Sequence, residues 1–240
     1  MQIMERLYKQ KSRKSKRFIA AVAVLLACAI DVVPRDAVAE MSLDEALDAA
    51  YSEYICEVAP DAIRPFAAMS IRGECGYSAE VLSAFVRRHN PDFNPEIAQC
   101  FVKIGDKYGI RGDVALCQAI VETGWFLYTG GTAVDADCHN YCGLGVTSKG
   151  KRGAGFKTVE EGVTAHIQHL YAYCTTDELP DGEKRIDPRF AMVNRGCAQR
   201  WHDLNGRWAM NNRYSTAILS VYASLAEFAD NTDKPCQRQN

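Results

Sequence analysis

The sequence predicts a single, mostly helical α+β domain, and three observations lead to that prediction. Six stretches have apolar residues at helical spacing, helix-capping residues, or both. A Gly-rich turn between two short extended segments, after the fourth of these stretches, predicts one β-hairpin. The 240 residues, 48% hydrophobic and 24% charged, are ordinary for a globular protein with a real core. One small β element inserted among helices is an α+β pattern.

The first 39 residues have the composition of a secretory signal peptide. Seven Lys or Arg residues lie between positions 6 and 17, an apolar run covers 18–30, and Ala-Val-Ala at 37–39 precedes Glu40. That run is shorter than the roughly 18 to 20 residues that span a bilayer. We therefore predict a secreted or envelope-associated protein without stable membrane insertion after cleavage. An uncleaved anchor and a lipoprotein cleaved before Cys28 are the weaker alternatives.

Cleavage would also change the charge of the protein. The first 39 residues carry eight of the 28 Lys and Arg residues and three of the 30 Asp and Glu residues, so the remaining chain has a net charge of −7. An acidic protein of this kind does not fit nucleic-acid binding. The sequence does not indicate an oligomeric state.

Nine cysteines remain after residue 39, and an exported chain with that many usually contains disulfides. Since nine is odd, at least one is unpaired or pairs with another chain. We predict the pairs Cys56–Cys75 and Cys174–Cys197, and a small loop closed by Cys138 and Cys142.

Capping residues divide the first part of the chain into helices. We predict a helix from the capping box at Ser42 to about 57, a second from Ser78 to about 90, and a third from Asn94–Pro95 to 108, before Gly109. The corresponding divisions are an N-terminal helical extension over 40–75, a main domain over 76–230 and a tail over 231–240.

The central helix, between Asp113 and Gly124, is almost wholly apolar, has apolar residues on every face, and carries one carboxylate near its end, Glu122. Asp113 can cap its N-terminus, and Gly124 can end it in the left-handed conformation. Burial and the negative end of the helix dipole both raise the pKa of a carboxyl at Glu122, as a general acid near neutral pH requires. The alternative for Glu122 is a capped or water-exposed side chain at a helix end.

The rest of the chain carries the hairpin and two more helices. We predict a loop over 126–140, extended segments at 140–146 and 153–157 around a turn at 148–152, and a helix opened by a capping box of Thr158 and Glu161. A polar loop covers 175–187, and a last helix runs from Tyr214 to about Phe228.

Several ordered motifs resemble the glucosaminidase domain of glycoside hydrolase family 73, whose members are bacterial endo-β-N-acetylglucosaminidases that cut peptidoglycan. The motifs are AIVETGW at 119–125, HNYCGLG at 139–145, FKTVEEGVTAHIQHL at 156–170, DPRF at 187–190, GRWA at 206–209, and Tyr214 with its helix. The resemblance covers roughly residues 70–228. It implies a lysozyme-like fold with a cleft beside the hairpin, peptidoglycan glycan strands as the partner, and no cofactor or metal.

The resemblance also implies roles for single residues. Glu122 stands where the family has its catalytic acid, and Tyr214 resembles the family's active-site tyrosine, which would brace the reacting sugar. Asn140 and Tyr141 could contact an acetamido sugar, and Trp125 could stack on one. Packing in a turn or in the core is the alternative for each of the last four residues.

The second catalytic group is open. The family usually has a second acid in the hairpin region, but residues 142–156 of this chain contain no Asp or Glu. The remaining candidates are Asp135 and Asp137 before the hairpin, and Glu160 and Glu161 after it. In the alternative, the acetamido oxygen of the substrate attacks the anomeric carbon, and no second acid is needed.

A zinc site is a further alternative, since His166 and His169 share a helix face and Cys138, His139 and Cys142 are clustered. Packing under the hairpin is the better interpretation of these residues. The sequence therefore predicts an exported endo-β-N-acetylglucosaminidase that uses Glu122 as its general acid. Its rivals are an inactive glycan-binding module and a disulfide-linked interaction protein of the envelope.

Overall fold

The computed structural model describes residues 63–128, 134–146, 153–210 and 213–232. The predicted signal peptide, the helix predicted at 42–57, the hairpin turn and residues 233–240 of the predicted tail lie outside these residues. Within them the chain forms five α-helices, which are α1 (Ala79–Arg87), α2 (Pro95–Tyr108), α3 (Gly112–Thr123), α4 (Val159–Cys174) and α5 (Tyr214–Thr232). Short 3₁₀ turns lie at 64–66, 136–138, 190–192 and 201–204. None of the described helices is both long and apolar enough to cross a bilayer.

Capping residues set the helix ends much as predicted. The Asn94 side chain accepts the Glu96 N–H at 3.0 Å to begin α2, and Gly109 ends it with a left-handed φ of 61°. Thr158 accepts the Glu161 N–H at 3.1 Å to begin α4, while the Glu161 carboxylate accepts the Lys157 N–H at 2.9 Å. Helix α5 runs four residues beyond the predicted end at Phe228.

The predicted N-cap of α3 is wrong. The helix begins at Gly112, with Arg111 at the cap position and no side-chain cap, so Asp113 lies inside the first turn. The fully buried Asp113 carboxylate instead accepts the Gly76 N–H at 2.8 Å and the Tyr222 hydroxyl at 3.1 Å, and lies 3.6 Å from the Arg111 guanidinium. A buried carboxylate needs such partners to offset its lost hydration, and here it ties α3 to α5 and to the segment before α1.

Helix α3 is the centre of the core, as its apolar sequence predicts. It packs against α2, α4 and α5, and most of its side chains are buried on every face. A Cβ added at Gly112 would lie only 2.1 Å from the carbonyl oxygen of Phe101 in α2, so the two helices meet backbone to backbone at this point. The close contact fixes where α3 begins and therefore where Glu122, almost three turns later, is placed.

The described residues form a mostly helical domain, but they do not show the predicted β-hairpin. The two predicted arms do contact each other, since the Ala154 N–H donates to the Leu144 carbonyl at 2.7 Å. No strand is assigned in the parts of these arms that the structure describes, and the turn at 147–152 lies outside them. Isolated bridges such as Ser70 with Arg200 and Arg72 with Ile110 are the β-like pairings in the described chain.

The predicted disulfides are not formed among the described residues, where all seven cysteines are free thiols. Cys174 is buried in α4 and its Sγ donates to the Tyr171 carbonyl, so it is not bonded to Cys197. Cys142 packs with Leu144 and Ala165 and is not bonded to Cys138. Cys75 is also a free thiol, and its predicted partner Cys56 lies outside the described residues.

Candidate active site

Glu122 lies in the last turn of α3, at the edge of the core, and its side chain is half-buried. Burial raises the pKa of its carboxyl, while hydrogen bonds from Tyr214 and Trp208 act in the opposite direction. The predicted direction of the shift therefore agrees with the structure, and burial is its largest cause. A half-buried carboxyl can hold a proton near neutral pH and still be reached by a substrate.

A chain of three hydrogen bonds leads from α4 to this carboxyl. The His166 ring meets the Gln118 amide oxygen at 2.9 Å, the Gln118 amide nitrogen donates to the Tyr214 hydroxyl at 2.7 Å, and that hydroxyl donates to Glu122 Oε1 at 2.5 Å. Burial raises the pKa of Tyr214 well above its usual value, and the nearby Glu122 adds to this. Tyr214 therefore keeps its proton and donates a hydrogen bond to Glu122.

The directions of these bonds distinguish the two oxygens of Glu122. Since Tyr214 accepts from Gln118, its own proton goes to Oε1, and Oε2 is the oxygen that does not receive the Tyr214 hydroxyl. Oε2 faces Gly143, where an added Cβ would lie 3.9 Å from it. Gly143 has a φ of 68°, which favours glycine, and the missing side chain keeps the space beside Oε2 open.

His166 anchors the far end of the chain as a neutral ring. Burial lowers its pKa to about 3, with a further contribution from His169. Its Nε2 must carry the proton, because the Gln118 oxygen can only accept. A neutral ring of fixed tautomer in turn fixes the orientation of the Gln118 amide, and through it that of the Tyr214 hydroxyl.

Asn140 and Tyr141 lie where they hold the loop rather than where they face a ligand. Asn140 is fully buried, and its amide nitrogen donates to the carbonyls of Leu144 and Ala154 at 2.9 and 2.8 Å. Its oxygen accepts the Leu144 N–H at 3.0 Å. Tyr141 is 1% exposed and packs against Phe101 in the core. The structure therefore supports the packing alternative for both residues.

Trp125 also packs, on the side of α3 that faces α1. Its ring stacks on His89 with centroids 3.7 Å apart and meets Phe85 at 5.5 Å. It lines a cavity between α1 and α5 together with Phe228. These contacts favour the packing alternative over the predicted sugar platform.

Within the described chain the hydrogen-bond partners of Glu122 are Tyr214 and Trp208, and none of the four candidate second acids is among them. Asp135 and Asp137 are exposed at the 3₁₀ turn 136–138, Glu160 pairs with Lys103 at 3.1 Å, and Glu161 is held in the cap of α4. The causes of the Glu122 pKa shift include no second carboxylate among the described residues. The second catalytic group accordingly stays a prediction.

The residues of the zinc alternative have partners of other kinds. His166 bonds Gln118, and His169 Nδ1 lies 2.7 Å from a carboxylate oxygen of Asp187. Across the described segments, no group of three or more His, Cys, Asp or Glu side chains is placed to hold a metal ion.

Sequence reasoning missed three residues of the site, which are Gln118, His166 in its role here, and Trp208. Gln118 did leave a signal, since it is a polar residue one turn before Glu122 on the same face of an apolar helix. Trp208 follows the short turn 201–204, and no local periodicity places it beside a residue 86 positions earlier.

Comparisons with known proteins show the family of this chain. The family model for glucosaminidase, described as mannosyl-glycoprotein endo-beta-N-acetylglucosaminidase, matches residues 98–230, more than half of the chain. An uncharacterized protein of Borreliella burgdorferi is 31% identical over 149 residues, which cover 59% of this chain and 71% of that protein. No solved structure matches the chain. The family match contains Glu122, Tyr214 and Trp208, and the chain belongs to the glucosaminidase family, glycoside hydrolase family 73.

Proposed function

We propose that this protein is an exported peptidoglycan hydrolase that cleaves the β-1,4 bond on the reducing side of N-acetylglucosamine, with Glu122 as its general acid. One observation carries the proposal: in a chain of the glucosaminidase family, a half-buried carboxyl with a raised pKa is held by Tyr214 and Trp208 at the end of α3. The family implies a glycan substrate, while the bond, the role of Glu122 and export belong to the proposal.

The geometry fits protonation of a leaving glycosidic oxygen. Tyr214 donates to Oε1, and we place the proton to be transferred on Oε2, on the open side at Gly143. After transfer, the new carboxylate is stabilised by the hydroxyl of Tyr214 and by Trp208, both of which lower its pKa. These donors therefore stabilise the charge that develops on Glu122 as the glycosidic bond breaks.

For the second group we favour the acetamido oxygen of the substrate. No second carboxylate among the described residues contributes to the Glu122 pKa, whereas two acids about 5 Å apart, as in retaining enzymes, would interact strongly. In substrate assistance that oxygen attacks the anomeric carbon while Glu122 protonates the leaving oxygen. The cleft itself stays a prediction, because residues 129–133, 147–152 and 211–212, next to these side chains in sequence, lie outside the described chain.

The test is digestion of purified sacculi with analysis of the new reducing ends. We expect reducing N-acetylglucosamine ends from the wild-type protein and a loss of at least about a hundredfold in rate for Glu122→Gln, which keeps the shape but not the proton. Glu178→Gln is the matched control, because Glu178 is an exposed glutamate in the loop after α4 and is not a candidate for the second acid.

Three outcomes would contradict parts of the proposal. Reducing N-acetylmuramic acid or an anhydro product would show that a different bond or chemistry is used. Glycan binding without turnover, unchanged by Glu122→Gln, would favour the inactive binding module. A loss of turnover in Asp135→Asn or Asp137→Asn would assign the second group to that acid instead of the acetamido oxygen.

A further inference from the structure

A cavity of about 340 Å³ adjoins the candidate active site across Trp208. Trp208 hydrogen bonds to Glu122, and its ring also packs against His169 and Tyr173, with centroids 4.8 and 5.6 Å apart. Both of these residues line the cavity. One indole ring therefore links the carboxyl of Glu122 to the cavity wall, and a substrate at Glu122 would have this cavity as a neighbour.

Buried hydrogen bonds hold the polar wall of the cavity in place. The Asp187 carboxylate is 1% exposed and lies 2.7 Å from His169 Nδ1 through one oxygen, while its other oxygen accepts the Arg189 N–H at 2.8 Å. The carboxylate fixes Nδ1 as the protonated nitrogen of His169, so Nε2 is the one available to the cavity. Tyr173 donates its hydroxyl proton to the Arg207 carbonyl at 3.0 Å.

The cavity is also positively charged. Arg189 and Arg207 line it, and their charges oppose the rise in the pKa of Tyr173 that burial causes. Within the described chain, neither guanidinium forms an ion pair with a carboxylate, and Arg207 Nη1 donates only to the backbone carbonyl of Asp203 at 2.9 Å. Two guanidinium groups beside a fixed imidazole are suited to a carboxylate, which Arg binds through paired N–H donors.

We propose that this cavity binds a carboxylate carried by the lactyl side arm of the substrate sugar, either the free lactyl carboxylate or one on the peptide attached to it. This inference rests on the proposed function, since it assigns to the same cleft a second contact with the same strand. Arg189 and Arg207 then give the protein a preference for strands with a carboxylate near the bond to be cleaved. Glu122 acts on the glycosidic bond itself, which is present with or without that carboxylate.

The test compares three preparations of glycan strands. The first carries intact peptides, the second has its peptides removed so that only the lactyl carboxylates remain, and the third has all carboxylates converted to neutral amides. The double variant Arg189→Gln with Arg207→Gln is measured against the wild type on each, with Arg185→Gln as the matched control, because Arg185 is an exposed arginine that lines a different cavity.

We expect the double variant to raise KM about tenfold on carboxylate-bearing strands with little change in kcat, and to leave KM on the amidated strands as it is in the wild type. A rise confined to the peptide-bearing strands places the carboxylate on the peptide, and a rise confined to the peptide-free strands places it on the lactyl arm, whose carboxyl is free only there. A rise on both preparations shows that the cavity accepts either carboxylate. If KM of the double variant rose equally on the amidated strands, or did not rise on any preparation, the assignment would be overturned.

Binding is measured in parallel by co-sedimentation, which separates this inference from the proposed function. Strand binding that needs both the carboxylates and the two arginines, without any turnover by the wild-type protein, would contradict hydrolysis and support the cavity assignment. Turnover by the wild-type protein, together with strand binding that is unchanged when the carboxylates are amidated, would support hydrolysis and contradict the cavity assignment.

Discussion

At the scale of single residues, Glu122 stands between opposing influences on its pKa. Burial at the end of α3 favours the protonated form, and the donors Tyr214 and Trp208 favour the carboxylate. Burial is the larger influence, so the acid is available before the reaction and its conjugate base is stabilised after it. The position of the alkaline limit of activity should therefore depend on the donors.

Tyr214→Phe removes the hydroxyl that donates to Glu122 Oε1 at 2.5 Å. Losing a donor to the carboxylate raises the pKa of Glu122, and a general acid must be protonated to act. The alkaline limb of kcat/KM should therefore move to higher pH, while the rate at the optimum falls. The measurement is a pH profile of sacculus digestion.

Tyr171→Phe is the matched control for that profile, because Tyr171 is a buried tyrosine that donates to the Glu178 carbonyl and not to Glu122. Its alkaline limb should coincide with that of the wild type. A limb that stays in place in Tyr214→Phe, or moves to lower pH, would show that Tyr214 does not set the protonation of Glu122.

At the scale of the elements, the backbone contact between α2 and α3 decides where α3 starts. Beyond the other end of α3, Trp125, Phe126 and Tyr128 have left-handed φ values of 62°, 58° and 53°. Such values are unfavourable for residues with a Cβ and need surrounding contacts to hold them. The Asn90 amide supplies two, donating to the carbonyls of Trp125 and Phe126 at 3.1 and 3.3 Å.

Gly112→Ala should destabilise the protein, because its Cβ would lie 2.1 Å from the Phe101 carbonyl oxygen and the helices would have to separate. We expect a net loss of about 2 kcal/mol in the free energy of unfolding, since this overpacking exceeds the helix propensity gained by alanine. Urea unfolding measures it. Gly155→Ala, with no neighbouring atom within 4 Å of its added Cβ, should change stability by less than about 0.5 kcal/mol.

At the scale of the whole molecule, burial shifts the pKa of ionisable groups throughout the core. The thiols of Cys117 and Cys142 are buried, and burial raises their pKa well above the usual value. The ring of His166 is buried too, and there burial acts in the opposite direction because the protonated form is the charged one.

Alkylation of the native protein near pH 8 should label the partly exposed Cys138 and Cys197 first, and Cys117 and Cys142 only after unfolding. Cys75, whose pKa is raised to about 12 by burial and Asp113, should also react slowly. Mass spectrometry of the labelled peptides is the measurement. A Cys174–Cys197 disulfide in the non-reduced digest would contradict the free thiols seen here.

His166 should make the fold sensitive to acid. Its pKa is about 3 in the folded protein and about 6.5 in an unfolded chain, so below pH 6.5 only the unfolded state gains the proton. The contribution of His166 to the free energy of unfolding is fully present above pH 6.5 and is lost as the pH falls from 6.5 toward 3. Between pH 7 and 5 the wild type should lose about 2 kcal/mol more than His166→Gln in urea unfolding. Equal losses in the two proteins would contradict a neutral buried His166.

Much of the fold was predictable because the signals are local. Ser78, Asn94 and Thr158 cap the helices that follow them, and Gly109 and Gly124 end the helices before them, since each acts on backbone groups within a few residues. Asp113 was misassigned because its partners Gly76 and Tyr222 come from other parts of the chain. The disulfides were misassigned because cysteine count and spacing do not fix the distance between two sulfur atoms.

The sequence alone determined that Glu122 ends a buried helix, that its pKa is raised, and that the chain resembles the family to which it belongs, since each depends on residues close together or on ordered motifs. Only the tertiary structure decided which donors hold that carboxyl. Gln118, Tyr214 and Trp208 come from three separate segments, and their hydrogen bonds exist only once α3, α5 and the segment between α4 and α5 have packed together.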